Sequence, residues 1–98
     1  MRCTIYKVPE GKLLKVFLDT DGATIGNLKI TGDFFMHPEE KIVELEAALM
    51  GHALEETALA ATIDGFLKAH FIELFGADAA SIAKTILMAA QPPSSPTP

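Results

Sequence analysis

The hydrophobic period of this chain changes once, and that change limits the fold more than any other feature. Up to Thr31 the sequence runs in three segments rich in β-branched and aromatic residues, RCTIYKV (2–8), KLLKVFLD (12–19) and ATIGNLKIT (23–31), separated by the turn signals PEG and TDG. From Pro38 onward apolar residues recur at three- and four-residue spacing, the repeat of an amphipathic helix. Strands followed by helices define an α+β domain. The expected architecture is a three-stranded antiparallel sheet followed by three to four helices packed on one face. With 98 residues, nearly half of them apolar, the chain supports one domain over residues 1–90, and QPPSSPTP (91–98) is expected as a disordered Pro/Ser-rich tail.

Finer features follow from the same periods. In the second strand Leu14, Val16 and Leu18 share one face while Leu13, Lys15 and Phe17 share the other, so both faces are partly apolar and the Leu13/Phe17 side calls for a cover. In the third strand Leu28 and Ile30 alternate, but Ile25 has the opposite parity, which makes Gly26 the expected site of a bulge. The first helix is predicted from Pro38 to Gly51, with His37 as its N-cap and Glu39 and Glu40 at the positive end of the dipole. A second helical pattern runs from Leu54 to Phe75; an interior glycine costs about 1 kcal/mol against Ala, so a bend or break is expected between Gly65 and His70. Asp78 is placed to cap a last helix through Ala90.

Composition excludes several functions. Eight basic residues against thirteen acidic give a net charge of −5, and Arg2 is the single arginine. Nucleic-acid binding needs clustered cations, which are missing. A phosphate site of the chain's own lacks bidentate arginines and a Gly-rich loop. No apolar run reaches the eighteen or so residues of a membrane span, and MRCTIYKVPEG lacks the apolar stretch of a signal peptide, so a cytoplasmic protein without a membrane partner is expected. Cys3 is the single cysteine, which rules out an intrachain disulfide; it reads as a small buried residue of the first strand, with a reactive thiol as the rival reading. The acids of LDTDG lack the ligand spacing of a calcium loop and read as a hairpin turn. His37, His52 and His70 show no metal-ligand spacing; His37 reads as a cap and the other two as surface or helix-end residues. No nucleophile-base pairing, CxxC or HExxH is present. No catalytic, cofactor-binding or metal residue is therefore predicted.

The densest local message is KITGDFFMHPEE, residues 29–40. Gly32 permits a tight turn, Asp33 is suited to bond backbone N–H groups there, and one phenylalanine can enter the core. Two adjacent phenylalanines cannot both do so at a strand-like corner, and an exposed aromatic is a good interface anchor. Local physics leaves both readings open.

In longer context the order of residues becomes recognisable. GKLLKVFLDTDGATIGNLKITGDFFMHPEEKIVELEAALMG, residues 11–51, resembles the C-terminal accessory domain of lipoate-protein ligases: a glycine-lysine-led strand, a turn, an I-x-G-D-F-F corner and a P-E-E … L-E-x-x-L-x-G helix occur in that order. The resemblance implies a fold similar to SufE/NifU-type scaffolds and a role as the separate small subunit of a two-chain ligase, not catalytic alone. It implies a catalytic partner subunit that holds lipoate, ATP and magnesium, forms lipoyl-adenylate with the help of the accessory part, and passes the lipoyl group to lysines of acceptor domains. The partner-binding residues expected here are Gly32, Asp33, Phe34, Phe35, Phe17, Lys12 and Lys15, with one of the two adjacent phenylalanines as anchor and a lysine near the charged substrates. The alternatives are a free-standing interaction domain or a sulfur or iron–sulfur scaffold; the latter needs exposed loop cysteines. A lipoyl-bearing acceptor would carry a lysine at a hairpin tip, where DTDGAT has none.

Overall fold

Three strands form where the alternation predicts them: β1 (Arg2–Lys7), β2 (Leu13–Asp21) and β3 (Thr24–Gly32), an antiparallel sheet in the order β1-β2-β3. The structure, a computed structural model, describes residues 2–9 and 11–90; the expected tail 91–98 lies outside the described residues. The hairpin turn joining β2 to β3 is Gly22–Ala23, at the end of LDTDG; the rest of that segment extends β2, with Asp21 paired to Thr24. The register passes from Asp19↔Asn27 to Thr20↔Ile25, which leaves Gly26 as the extra residue of the expected bulge. That single extra residue inverts the parity, so Ile25 is buried together with Leu28 and Ile30.

One face of this sheet makes the core. Leu14, Val16 and Leu18 are fully buried under α3 (Ala79–Ala90), which lies across β1 and β2 and contributes Ile82, Ala83, Ile86 and Ala89. Behind α3 packs α2 (Glu56–Ala69), with Leu59 and Ile63 inward; α1 (Lys41–Ala48) sits against β3 through Leu45. Each such Leu, Ile or Val side chain contributes about 1.5–3 kcal/mol by leaving water. Thr85, buried on α3, donates its hydroxyl to the Ser81 carbonyl at 2.7 Å and so carries no orphaned polar atom. Asp78 caps α3 as predicted, its carboxylate accepting the Ser81 N–H at 2.7 Å. Among the described residues no helix is long and apolar enough to cross a membrane.

The outer edge of β3 is closed from within the chain. Ile30 donates its N–H to the Glu46 carboxylate of α1 at 2.7 Å. Ile25 donates to the His52 carbonyl at 2.9 Å and accepts from the Gly51 N–H at 2.7 Å, and Leu54 donates to the Ala23 carbonyl at 2.9 Å. The α1–α2 connection therefore runs along β3. His52, expected as a surface or helix-end residue, is half-buried there: Nδ1 donates to the Ala53 carbonyl at 2.8 Å and Nε2 lies 2.9 Å from the Thr62 hydroxyl of α2.

Several expectations are corrected. The first helix begins at Lys41, and His37, expected as its N-cap, belongs instead to a strand, β4 (Phe35–His37). The His37–Pro38 peptide is cis, and a turn over Pro38–Glu40, bonded from Lys41 N–H to the Pro38 carbonyl at 3.2 Å, leads into α1. The second helix does not reach Phe75: it ends at Ala69, and Glu73–Phe75 form β5, which pairs antiparallel with β4. Helical spacing of Phe71 and Leu74 was real but short, and the pairing that overrides it comes from residues some forty positions earlier. Gly65 lies within an unbroken α2, in open space on an exposed face, and the break falls at the His70 end of the expected interval. There α2 closes with Phe71 N–H on the Lys68 carbonyl (3.3 Å) and Ile72 N–H on the Leu67 carbonyl (2.9 Å). This is a Schellman closure, and Phe71 takes the left-handed position, φ +53°, that glycine usually fills. Three helices result, the lower end of the expected range. Cys3 is exposed rather than buried, because its place in the register puts it beside Phe17, on the sheet face that the helices do not cover.

Candidate functional site

The GDFF corner is fixed by close backbone approach. Gly32 ends β3 with φ +144°, and a Cβ on it would sit 2.2 Å from the Leu13 carbonyl oxygen, so no other residue fits. Asp33 N–H then donates to that same carbonyl at 3.0 Å. The carboxylate of Asp33, expected to bond backbone N–H groups, is exposed and accepts no hydrogen bond among the described residues; the backbone does the work instead. A second approach closes the corner from the far end of the chain. Gly76, φ +88°, accepts the Lys12 N–H at 2.8 Å, and a Cβ there would lie 2.5 Å from Lys12 Cγ and 3.5 Å from Phe34 Cα. Three segments, Gly11–Lys12, Gly32–Phe35 and Phe75–Gly76, thus meet at one place.

The two phenylalanines part as the strand alternation requires. Phe34 is half-buried and packs against the core, while Phe35 is 48% exposed. In the β4–β5 ribbon Met36 stands opposite Leu74 on the inner side, with Met36 buried. On the outer side Phe35 stands opposite Phe75, itself 53% exposed, with ring centroids 6.0 Å apart. His37 lies 6.4 Å from Phe35, its ring nearly parallel at 16°. Ring pairs at these distances attract beyond their area. Beside them is a groove lined by Ile30, Gly32, Phe34, Met36 and Ile42.

Of the expected site residues, the structure brings Lys12, Gly32, Asp33, Phe34 and Phe35 together. Phe17 and Lys15 lie elsewhere, on the uncovered face of the sheet, with the Lys15 ammonium 5.2 Å from the Phe17 ring centroid. The sequence reading missed Phe75, Gly76 and His37 as members of the corner. Their signal was present but was absorbed by helix rules: Phe75–Gly76 reads as a helix end and His37–Pro38 as a helix start. It also missed Phe71, 89% exposed in an unfavourable backbone conformation. The arrangement is chemically one of adhesion, made of ring faces, methylenes and ammonium groups.

This is a small α+β domain whose corner leaves two rings, Phe35 and Phe75, outside its own core. The chain matches the family described as bacterial lipoate protein ligase C-terminus over residues 7–86, and it belongs to that family. It is 45% identical over 51 residues to lipoate-protein ligase A subunit 2 of Thermoplasma acidophilum; that match covers 52% of this chain and 53% of the relative, so it spans about half the length of the curated protein. A solved structure described as part of an archaeal lipoylation system, a bipartite lipoate protein ligase and its E2 lipoyl domain from Thermoplasma acidophilum, superposes with a TM-score of 0.70 at 28% identity. The superposition covers 86% of this chain and 96% of that one.

Proposed function

We propose that this chain is the accessory subunit of a bipartite lipoate-protein ligase. It docks on a separate catalytic chain and is required there for ATP-dependent activation of lipoate to lipoyl-adenylate, before transfer to lysines of acceptor domains. The observation that carries this reading is the family match across residues 7–86, which contains the whole corner. The geometry supports it through an exposed Phe35–Phe75 pair held on a glycine-fixed backbone, the kind of rigid aromatic anchor that dominates interfaces.

In this reading Phe35 is the anchor, Gly32 and Asp33 set its direction, Phe34 ties the corner to the core, and Lys12 stands beside it. Phe17 and Lys15 meet the partner over the uncovered sheet face. Lipoate, ATP and magnesium are held by the catalytic chain. Docking acts by ordering the loops that close over those substrates, since adenylation gains from excluded water and from a carboxylate held against the α-phosphate.

Reconstitution tests the proposal. Adding this chain to the catalytic chain raises lipoate-dependent pyrophosphate release from near background, with transfer from preformed lipoyl-adenylate assayed separately; unchanged release refutes the accessory role. Cys3 is exposed but lies within strand β1, so it meets only half of what the sulfur-scaffold alternative needs. Cys3→Ser decides it: the reconstituted rate stays unchanged for an accessory subunit.

A further inference from the structure

The register of the three-stranded sheet orders its uncovered face into rows. Lys7 stands opposite Leu13, Lys15 lies between Ile5 and Thr31, and Phe17 faces Lys29 on its neighbour strand. Each row holds one lysine, and the lysine moves over by one strand from row to row. Lys7, Lys15 and Lys29 therefore form a diagonal across β1, β2 and β3, with neighbours about 7–8 Å apart. Apolar side chains border it: Leu13 on one side, Ile5 and Phe17 on the other. Ile5 is 53% exposed, Leu13 and Phe17 are half-buried, and the helices pack on the opposite face.

The charge on this face runs against the rest of the molecule. The chain carries a net charge of −5, yet this face presents three lysines against two acids, Asp19 and Asp21, both at the turn end of β2. On the helices, Lys41 and Lys68 pair with Glu44 and Asp64 at 3.1 and 2.9 Å. Among the described residues no carboxylate pairs with any lysine of the diagonal. Lys7 and Lys29 are exposed to an outside partner, and Lys15 lies half-buried beside the Phe17 ring at 5.2 Å.

We propose that this face docks an acidic strip, bordered by apolar side chains, on the catalytic chain, so that the corner holds the subunit and the lysine diagonal steers it into place. The inference rests on the ligase reading above. A second copy of this chain is a poor occupant, because pairing the face with itself about a two-fold axis sets lysine against lysine. Nucleic acid is a poor occupant too: three ammonium groups without arginine neutralise few phosphates, and the intervening apolar rows gain nothing from a phosphate backbone. A carboxylate-bearing protein surface satisfies both the charges and the apolar rows. Because Lys7 and Lys29 are exposed and Lys15 is only half-buried, their main effect is on the rate of encounter, and salt screens it beyond about 10 Å at 0.1 M.

The test measures association and dissociation rates between this chain and the catalytic chain as salt is raised. The wild-type association rate falls about tenfold or more from low to high salt. The triple variant Lys7→Gln/Lys15→Gln/Lys29→Gln keeps its melting temperature, associates several-fold more slowly at low salt, and loses most of the salt dependence while dissociating at nearly the same rate. Phe35→Ala does the reverse, speeding dissociation with the salt dependence intact. A triple variant that associates like wild type at low salt overturns the inference while leaving the ligase reading in place; so does a salt-independent wild-type rate. A dimer of the free chain that the triple variant disperses assigns the face to a second copy and also overturns it. If the wild-type chains form no complex at any salt, the ligase reading falls and this inference falls with it.

Discussion

At the corner Phe35, His37 and Phe75 set ring beside ring with Lys12 at the edge, whereas across the three-stranded sheet Ile5, Leu13 and Phe17 each stand opposite a lysine. The two surfaces also rest on different supports. The corner stands on two three-residue strands joined by backbone approaches so close that only glycine fits. The sheet face rests on a long β2–β3 ladder whose register places every side chain. A surface of the first kind is sensitive to backbone change and holds a partner once bound. A surface of the second kind tolerates substitution, and its charges act at a distance.

The strongest way to break this comparison is Gly32→Val. With its Cβ 2.2 Å from the Leu13 carbonyl, the variant is expected to lose about 3 kcal/mol or more in urea unfolding, and a stable variant removes the claim that the corner is fixed by backbone contact. Next in size are the two adjacent rings. Phe34→Ala lowers folding stability by about 2 kcal/mol because Phe34 packs on the core. Phe35→Ala leaves stability nearly unchanged and weakens association with the catalytic chain by about 1–3 kcal/mol in calorimetric titration; the opposite pattern reverses their roles. Phe71→Gly sharpens the contrast from another side. Glycine suits the left-handed closure of α2, so the variant is expected to gain about 1 kcal/mol, seen as a melting temperature higher by about 4–8 °C. Smallest is Lys15→Gln, expected to change stability by less than about 0.5 kcal/mol in the same scan, since a half-buried cation at 5.2 Å from a ring on an open sheet face contributes little to the fold.

Where the sequence was readable, the cause was local. Alternation placed β1 to β3, the parity clash between Ile25 and Leu28 located the bulge at Gly26, and Asp78 announced α3 by cap chemistry. The β4–β5 ribbon was not readable, because Phe35 finds Phe75 only through the tertiary fold, and each three-residue strand is too short to show a period. HPEE carries real helix-start chemistry and still leads into the helix through a turn, three residues later than the rule places it. Alternation also yields two faces without saying which one the helices cover. Hence Leu13, Lys15 and Phe17 were correctly grouped as one face, but Cys3 was assigned to the wrong one. The corner was legible in its GDFF half and hidden in its Phe75–Gly76 half. The lysine diagonal exists only once the register is known, since Lys7, Lys15 and Lys29 have no regular spacing in the sequence.

Glu46 has an effect beyond its own helix. By answering the Ile30 N–H, alongside the bonds that Ile25 and Ala23 make to the α1–α2 connection, it leaves β3 with no place for another strand. The sheet is a one-ended ladder. Within this sheet a strand from another molecule finds its open place alongside β1, so even if two copies join there, the pair presents β3 at both outer ends and the sheet does not grow rung by rung.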